Sequence, residues 1–235
     1  MNLRYLKPLI VIVLVLGVFA VLFSLFYGGT SDSEPISSDR IPDTIEDAGF
    51  VHSGEALRLE ILGGSTVRYL VGEQLARRDL PNDAIGVTGQ VEGLIVLDGS
   101  GAIDQENSEI VVMLESLESD EPRRDNYLRT RTSIGSPEFP KAVFIPQEVS
   151  GLDWPIGEGD RLIFDMVGQM TIRGVTNPMT WSVEALWDQG VITGQAKTSI
   201  YFSDYQIPKP TLLFILSMDD EIRLEADLLI GVSRR

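Results

Sequence analysis

Strict two-residue alternation near the centre of the chain limits the possible folds more than any other sequence feature. In Met179–Leu186 (MTWSVEAL), the apolar residues Met179, Trp181 and Val183 alternate with polar residues. This pattern is typical of a β-strand with one buried face. It follows the similar segment Leu162–Ile172 (LIFDMVGQMTI) after a turn that contains Gly, Asn and Pro. The two segments therefore predict an antiparallel pair of strands.

Further strand-like segments, separated by turn residues, flank this pair. Only one helix is predicted between them, Ser119–Arg129, with a serine N-cap and acidic residues in its first turn. Strands at this spacing predict an all-β sandwich or closed barrel, because a doubly wound α/β fold needs helices between its strands. The remaining segments are Ser65–Val71, Gln90–Leu97, Ile110–Leu114, Ala142–Ile145, Val191–Phe202 and Ile222–Val232.

The N-terminal segment contains an uncharged apolar run, residues 9–27 (LIVIVLVLGVFAVLFSLFY). At about 1.5 Å per residue, a helix of this length just crosses a hydrocarbon core of roughly 30 Å. Arg4 and Lys7 precede the run, while Asp32 and Glu34 follow it. The positive-inside rule therefore predicts a single-pass anchor in the cell membrane, with a cytoplasmic N-terminus and the remaining chain in the periplasm or outside the cell.

A cleaved signal peptide is the alternative interpretation of this segment. The run is longer than the usual apolar region of about 7–15 residues, and Phe26 and Tyr27 crowd the positions of a small-residue cleavage site. We favour the uncleaved anchor. The sequence then divides into a cytoplasmic tip and transmembrane anchor (1–30), a flexible Gly-, Ser- and Pro-containing linker (31–56) and a folded β domain (57–235).

Composition excludes several classes of function. The formal net charge of −16 disfavours nucleic-acid binding, because an acidic surface repels phosphate backbones. The chain has no cysteine, and its one histidine, His52, lies in the linker, so thiolate nucleophiles, catalytic triads and histidine metal clusters have no residues to form them. Asp219–Glu221 lacks the spaced ligands of a calcium loop and predicts a hairpin turn. The sequence therefore predicts no enzyme, metal or cofactor, although a carboxylate pair among 35 acidic residues stays an open alternative.

One stretch resembles the signature hairpin of a known family. Gly168–Val183 (GQMTIRGVTNPMTWSV) is similar to the corresponding hairpin of the YceI-like family, the lipocalin-like polyisoprenoid-binding proteins. With Ser65–Val71 as the first strand, the resemblance covers about residues 57–235. Three more segments agree in order and spacing: Ser119–Leu128, Glu138–Phe144 and Thr198–Ile207.

The resemblance implies an extended eight-stranded antiparallel lipocalin-like barrel with one helix. It also implies an apolar tunnel for a polyisoprenoid or similar amphiphile, export from the cytoplasm, and the option of a homodimer. Typical members are secreted with a cleaved signal peptide, whereas this chain is predicted to be anchored.

A closed barrel turns alternate residues inward, so the register that the resemblance sets gives a predicted ligand-binding set. Small residues in the set leave space, and methionines suit an adaptable apolar wall. Arg124 and Asp125, near the helix, are predicted candidates for contact with a polar head group. The predicted lining residues are Val67, Tyr69, Val71, Ala142, Phe144, Phe164, Met166, Met170, Ile172, Met179, Trp181, Val183, Ala196, Thr198, Ile200, Phe202, Leu224, Ala226 and Leu228.

Two states of the barrel interior lead to different functions. Eight strands suit either an interior filled with side chains or one that holds a small ligand, and the residues alone favour the filled interior. The resemblance favours the ligand. The predicted function is therefore a membrane-anchored binding protein that carries, stores or senses a polyisoprenoid or similar lipid. The alternative is a filled barrel that acts as an extracellular protein-interaction module.

Overall fold

The computed structural model describes residues 55–76, 80–211 and 215–234. The predicted anchor and nearly all of the predicted linker lie outside these residues, so both stay predictions. Within the described ranges, no helix is long and apolar enough to span a bilayer.

The described residues form short helices and predominantly long strands. The helical segments are α1 (Pro122–Tyr127), a π-helical turn (Leu128–Thr132) and three 3-10 turns (Gln105–Asn107, Leu114–Ser116 and Phe202–Tyr205). The strands are β1 (Leu57–Ile61), β2 (Thr66–Leu75), β3 (Asn82–Thr88), β4 (Val91–Leu97), β5 (Glu109–Met113), β6 (Glu118–Ser119), β7 (Lys141–Ser150), β8 (Arg161–Ile172), β9 (Val175–Asp188), β10 (Val191–Tyr201), β11 (Ile215–Met218) and β12 (Glu221–Arg234).

The sheet closes on itself through β1. This strand pairs with β4 on one edge and with β12 on the other. From β4 the sheet continues through β5, β7, β8, β9 and β10 to β12, and all of these pairs are antiparallel. The result is a closed eight-stranded antiparallel barrel, which confirms the predicted fold of the β domain.

Consecutive short strands extend the barrel beyond this closed ring. β12 pairs first with β2 and then with β1, so β1 and β2 follow one another along the same edge. A turn containing Gly64, whose positive φ of 99° suits glycine, separates them. β3 pairs with β2 as β4 pairs with β1, and β6 pairs with β3 as β5 pairs with β4. β3 therefore continues the position of β4, and β6 continues that of β5. We call the end of the barrel formed by β2, β3 and β6 the helix end, because it carries α1.

The predicted hairpin at Asp219–Glu221 is wrong. β11 and β12 both pair antiparallel with β2, Ile215 opposite Leu75 and Arg223 opposite Leu70, so they run in the same direction. The chain makes only a local break at this point. The backbone N–H of Asp219 donates to the carbonyl of Gly72 at 2.8 Å, which keeps the break attached to β2.

The predicted helix is present and begins at Pro122, but its N-cap is not the predicted serine. Its N-cap is Glu121, whose side chain accepts a hydrogen bond from the backbone N–H of Arg123 at 3.1 Å. Pro122 at the first helical position favours this start, because proline has no N–H to satisfy there. Ser119, the predicted N-cap, instead ends β6 and donates through its hydroxyl to Asp125 at 2.7 Å.

Side chains that alternate along the strands form the core. On β9, Met179 and Trp181 are buried, whereas Thr180 and Ser182 are exposed, as the sequence pattern predicts. At the helix end, the hydrophobic core includes the buried residues Phe202, Tyr205 and Ile207. At the opposite end, Leu57, Leu97, Leu162 and Trp187 are buried.

Candidate functional site

An apolar cavity of about 180 Å³ lies inside the barrel. A single buried water needs about 10–15 Å³ of such space, so the cavity is far larger than a packing defect. The lining residues are all apolar: Leu59, Val67, Val91, Ile95, Leu97, Ile110, Val112, Leu114, Ala142, Phe144, Val149, Leu152, Ile156, Leu162, Phe164, Met166, Met170, Ile172, Trp181, Val183, Ala185, Ile192, Gly194, Ala196, Leu224, Ala226, Leu228 and Ile230.

Many of the predicted lining residues do line this cavity. Their strands alternate as the sequence indicates, so the register of β8, β9, β10 and β12 is the one that the resemblance implied. The structure brings together Val67, Ala142, Phe144, Phe164, Met166, Met170, Ile172, Trp181, Val183, Ala196, Leu224, Ala226 and Leu228.

Six predicted lining residues do not reach the cavity. Val71, Met179, Ile200 and Phe202 are buried but belong to the packed region of the barrel. Thr198 is half-buried, at the point where β10 has already left its pairing with β9. Tyr69 enters the polar cluster described below. Alternation predicts the face of a strand, but not the height along the barrel at which the cavity ends, so the predicted set extends beyond the cavity.

The other half of the cavity wall lies outside the predicted set. Continued alternation would have found five of these residues, because Leu162, Ala185, Ile192, Gly194 and Ile230 follow the same period as their predicted neighbours. Leu152 and Ile156 lie in the loop between β7 and β8, where no period exists. The others are Leu59, Val91, Ile95, Leu97, Ile110, Val112, Leu114 and Val149.

Small residues create the space at the middle of the wall. Ala196 on β10 pairs with Val183 of β9 and Ala226 of β12, and all three line the cavity. Trp181, the inward residue before Val183 on β9, meets Phe144 edge to face, with ring centroids 6.5 Å apart and an interplanar angle of 75°. Small side chains therefore lie beside broad aromatic surface in the cavity wall, a combination that suits an apolar chain.

The β7–β8 loop forms part of the cavity wall at the end away from α1. Leu152 and Ile156 contribute to the wall, and the Trp154 indole N–H donates to the carbonyl of Gly99 at 3.0 Å. A side chain at Gly101 would place its Cβ 2.8 Å from the indole ring, so only glycine permits this approach. The loop is therefore attached to the β4–β5 connection.

A buried polar cluster, formed by Tyr69, Glu73, Asn82 and Arg124, lies at the helix end. Arg124 Nη2 donates to Glu73 Oε1 at 2.8 Å, and Asn82 Nδ2 donates to the same oxygen at 3.3 Å. The Glu73 side chain is 0% exposed and the Arg124 side chain 16%. This ion pair ties α1 to β2 from inside the protein.

The two predicted head-group contacts both have protein partners. Besides Glu73, Arg124 binds Asp120 through Nη1 at 2.7 Å. Asp125 accepts hydrogen bonds from the hydroxyl of Ser119 at 2.7 Å and from its backbone N–H at 3.2 Å. Contact of Arg124 or Asp125 with a ligand stays a prediction.

Tyr69 brings a hydroxyl into the same region. Its ring lies across Gly86, where a Cβ would be 2.2 Å from a ring carbon, so a glycine on β3 makes room for it. Burial raises the pKa of Tyr69 to about 12, and the hydroxyl is therefore protonated at neutral pH. Within the described part of the chain, no group of three or more metal-binding side chains is present.

The family model of the YceI-like domain matches residues 77–230, about two-thirds of the chain. The UPF0312 protein of Photorhabdus laumondii is 27% identical over 94 residues, covering 38% of this chain and 45% of that relative. The matched region is thus less than half of the relative's length.

Two solved structures share the fold. A polyisoprenoid-binding domain from Saccharophagus degradans, implicated in plant cell wall breakdown, superposes with a TM-score of 0.57 at 12% identity, covering 76% of this chain and 99% of that domain. BcnA of Burkholderia cenocepacia superposes with a TM-score of 0.52 at 14% identity, covering 70% and 95%. With the closed barrel, its apolar cavity and the match of the family model, the chain belongs to the YceI-like family.

Proposed function

We propose that this chain is a lipid-binding protein that holds the hydrocarbon chain of a polyisoprenoid or similar amphiphile inside its barrel. The observation that carries the proposal is the cavity inside the barrel, whose lining residues are all apolar. A cavity lined in this way stays dry and takes apolar ligands. The polyisoprenoid-binding domain of S. degradans, which has the same fold, supports this class of ligand.

Burial of a hydrocarbon chain supplies enough free energy for a stable complex. Each methylene that leaves water contributes about 0.8 kcal/mol, so about ten of them contribute roughly 8 kcal/mol before ordering costs. Such a ligand can survive purification. A filled barrel that acts as an interaction module would have a packed interior. The cavity therefore favours the lipid-binding function over the interaction module.

The cavity wall is unsuited to catalysis. Acid–base and nucleophilic mechanisms need ionisable or hydroxyl side chains within reach of the substrate. Every cavity-lining side chain is apolar, so a chain held there meets none of these groups. A binding role is consistent with this wall.

The proposal also places the protein at the outer face of the cell membrane. Residues 9–27 would anchor it, with Arg4 and Lys7 on the cytoplasmic side. The tethered barrel would then lie next to the lipids that it binds. A homodimer stays a prediction that analytical ultracentrifugation would test.

One preparation tests the anchor and the ligand together. Membranes of the native host are washed with alkaline carbonate, and the full chain is purified from the pellet and extracted with organic solvent. We expect the chain to stay in the pellet and the extract to contain about one long-chain lipid per protein by mass spectrometry. Release by carbonate would contradict the anchor, and an extract without stoichiometric lipid would contradict the binding function.

A further inference from the structure

Three buried polar atoms of the polar cluster have no hydrogen-bond partner among the described residues. They are the Tyr69 hydroxyl, Glu73 Oε2 and Asn82 Oδ1. Glu73 as a whole is only 2% exposed. Buried polar atoms of native proteins are nearly always paired, because an unmade hydrogen bond costs free energy. Three such atoms in one cluster leave hydrogen-bonding capacity for a bound polar group.

Tyr69 connects the polar cluster to the strand face that lines the lipid cavity. Tyr69 is the next inward-facing residue of β2 after Val67, and it pairs with Leu224 of β12. Val67 and Leu224 both line the cavity. Burial is the main cause of the raised pKa of Tyr69, and the charge of Arg124 opposes it. A lipid chain in the cavity can therefore direct its head group toward the polar cluster.

The chemistry of these atoms selects the kind of head group. Glu73 Oε2 and Asn82 Oδ1 can only accept hydrogen bonds, whereas the Tyr69 hydroxyl can donate or accept. Among the described residues, the charges that act on Tyr69 are one guanidinium, Arg124, and the carboxylates of Glu73, Asp120 and Asp125. Both terminal nitrogens of Arg124 already donate to carboxylates. A phosphate would bring further acceptors and negative charge into this region, whereas a hydroxyl or amide would donate to the free oxygens.

We propose that the polar cluster binds the head group of the lipid and selects an uncharged hydrogen-bond donor, such as an alcohol, over an anion such as a phosphate. This inference rests on the proposed function, since the head group is carried by a chain in the cavity. Tyr69 and Glu73 are its specificity-determining residues, and Arg124 positions the Glu73 carboxylate.

Three probes with twenty-carbon isoprenoid chains test the selection: geranylgeraniol, geranylgeranyl phosphate and the headless hydrocarbon phytane. The full chain in phosphatidylcholine nanodiscs is incubated with each probe, and bound probe is counted by mass spectrometry above protein-free nanodiscs. We expect geranylgeraniol to bind about tenfold more tightly than the phosphate. The alcohol would donate a hydrogen bond to the Glu73 carboxylate, and a hydrogen bond to a charged group is worth about that factor.

Tyr69→Phe keeps the ring over Gly86 and removes only the hydroxyl. It should weaken geranylgeraniol about three- to tenfold and leave phytane unchanged. Glu73→Gln should do the same, and Tyr205→Phe, at a buried tyrosine outside the polar cluster, should change neither probe.

Different failures separate the two proposals. Equal affinity for alcohol and phosphate, or equal loss of geranylgeraniol and phytane in Tyr69→Phe, would overturn the head-group site and leave the lipid-binding cavity in place. If phytane itself did not bind above background, the cavity would have no lipid function, and both proposals would be overturned.

Discussion

Replacing Ala196 with tryptophan is expected to abolish lipid binding without unfolding the barrel. Ala196 lies between Val183 and Ala226 on neighbouring strands, and all three line the cavity. The indole of Ala196→Trp would extend into the cavity of about 180 Å³ and occupy the space of the lipid chain. We expect lipid in the solvent extract to fall from about one per chain to nearly none, while the melting temperature stays that of the delipidated wild type.

The neighbouring residue on β10 provides a matched control. Lys197 is exposed, so Lys197→Trp adds the same side chain on the outer face and should leave the lipid content unchanged. If the interior were already filled, Ala196→Trp would overpack it and cost about 1–3 kcal/mol of stability. A lowered melting temperature with no lipid in either protein would therefore contradict the binding function.

Replacing Arg124 with methionine is expected to give the largest loss of stability. The Glu73 side chain is 0% exposed and depends on Arg124 for its ion pair. Removal of one partner leaves a buried carboxylate uncompensated, which typically costs about 3–5 kcal/mol. We expect the free energy of unfolding, measured with urea, to fall by about that amount in Arg124→Met.

An exposed ion pair supplies the control for this experiment. Arg161 and Glu184 are 3.4 Å apart, with side chains 71% and 69% exposed, so Arg161→Met should cost no more than about 1 kcal/mol. Combining Glu73→Leu with Arg124→Met removes both charges and should restore much of the lost stability. A loss in Arg124→Met as small as that in Arg161→Met would show that the buried pair does not hold α1 to β2.

The barrel could be predicted from the sequence wherever inward residues are larger and more apolar than outward ones. β9 is such a strand, and its alternation gave the correct buried face. β3 was missed because its pattern is inverted: inward-facing Ala84, Gly86 and Thr88 are small, while Ile85 and Val87 face outward and are 39% exposed. The ring of Tyr69 fills the space over Gly86. That long-range contact leaves no periodic signal along the chain.

Most of the polar cluster could not be predicted from the sequence, because it too depends on contacts between residues far apart in the chain. The predicted strand ended at Val71, because Glu73 places a carboxylate at an inward position and interrupts the apolar alternation. Its partner Arg124 lies 51 residues further along the chain. Arg124 was nominated only through the family resemblance, and Tyr69 was predicted as part of an apolar wall. The pairing of buried charges that are so far apart in the sequence can be recognised only from the folded structure.

Contact between a lipid chain and Trp181 tests the central claim most directly. Of the three tryptophans in the chain, only Trp181 lines the cavity. A nitroxide-labelled geranylgeraniol should therefore quench tryptophan fluorescence of the full chain in nanodiscs in a saturable manner, because quenching needs near contact. We expect Trp181→Phe to lose most of this quenching and Trp187→Phe, at a buried tryptophan outside the cavity wall, to retain it. Unchanged quenching in Trp181→Phe would show that the chain binds outside the barrel, and would contradict the account.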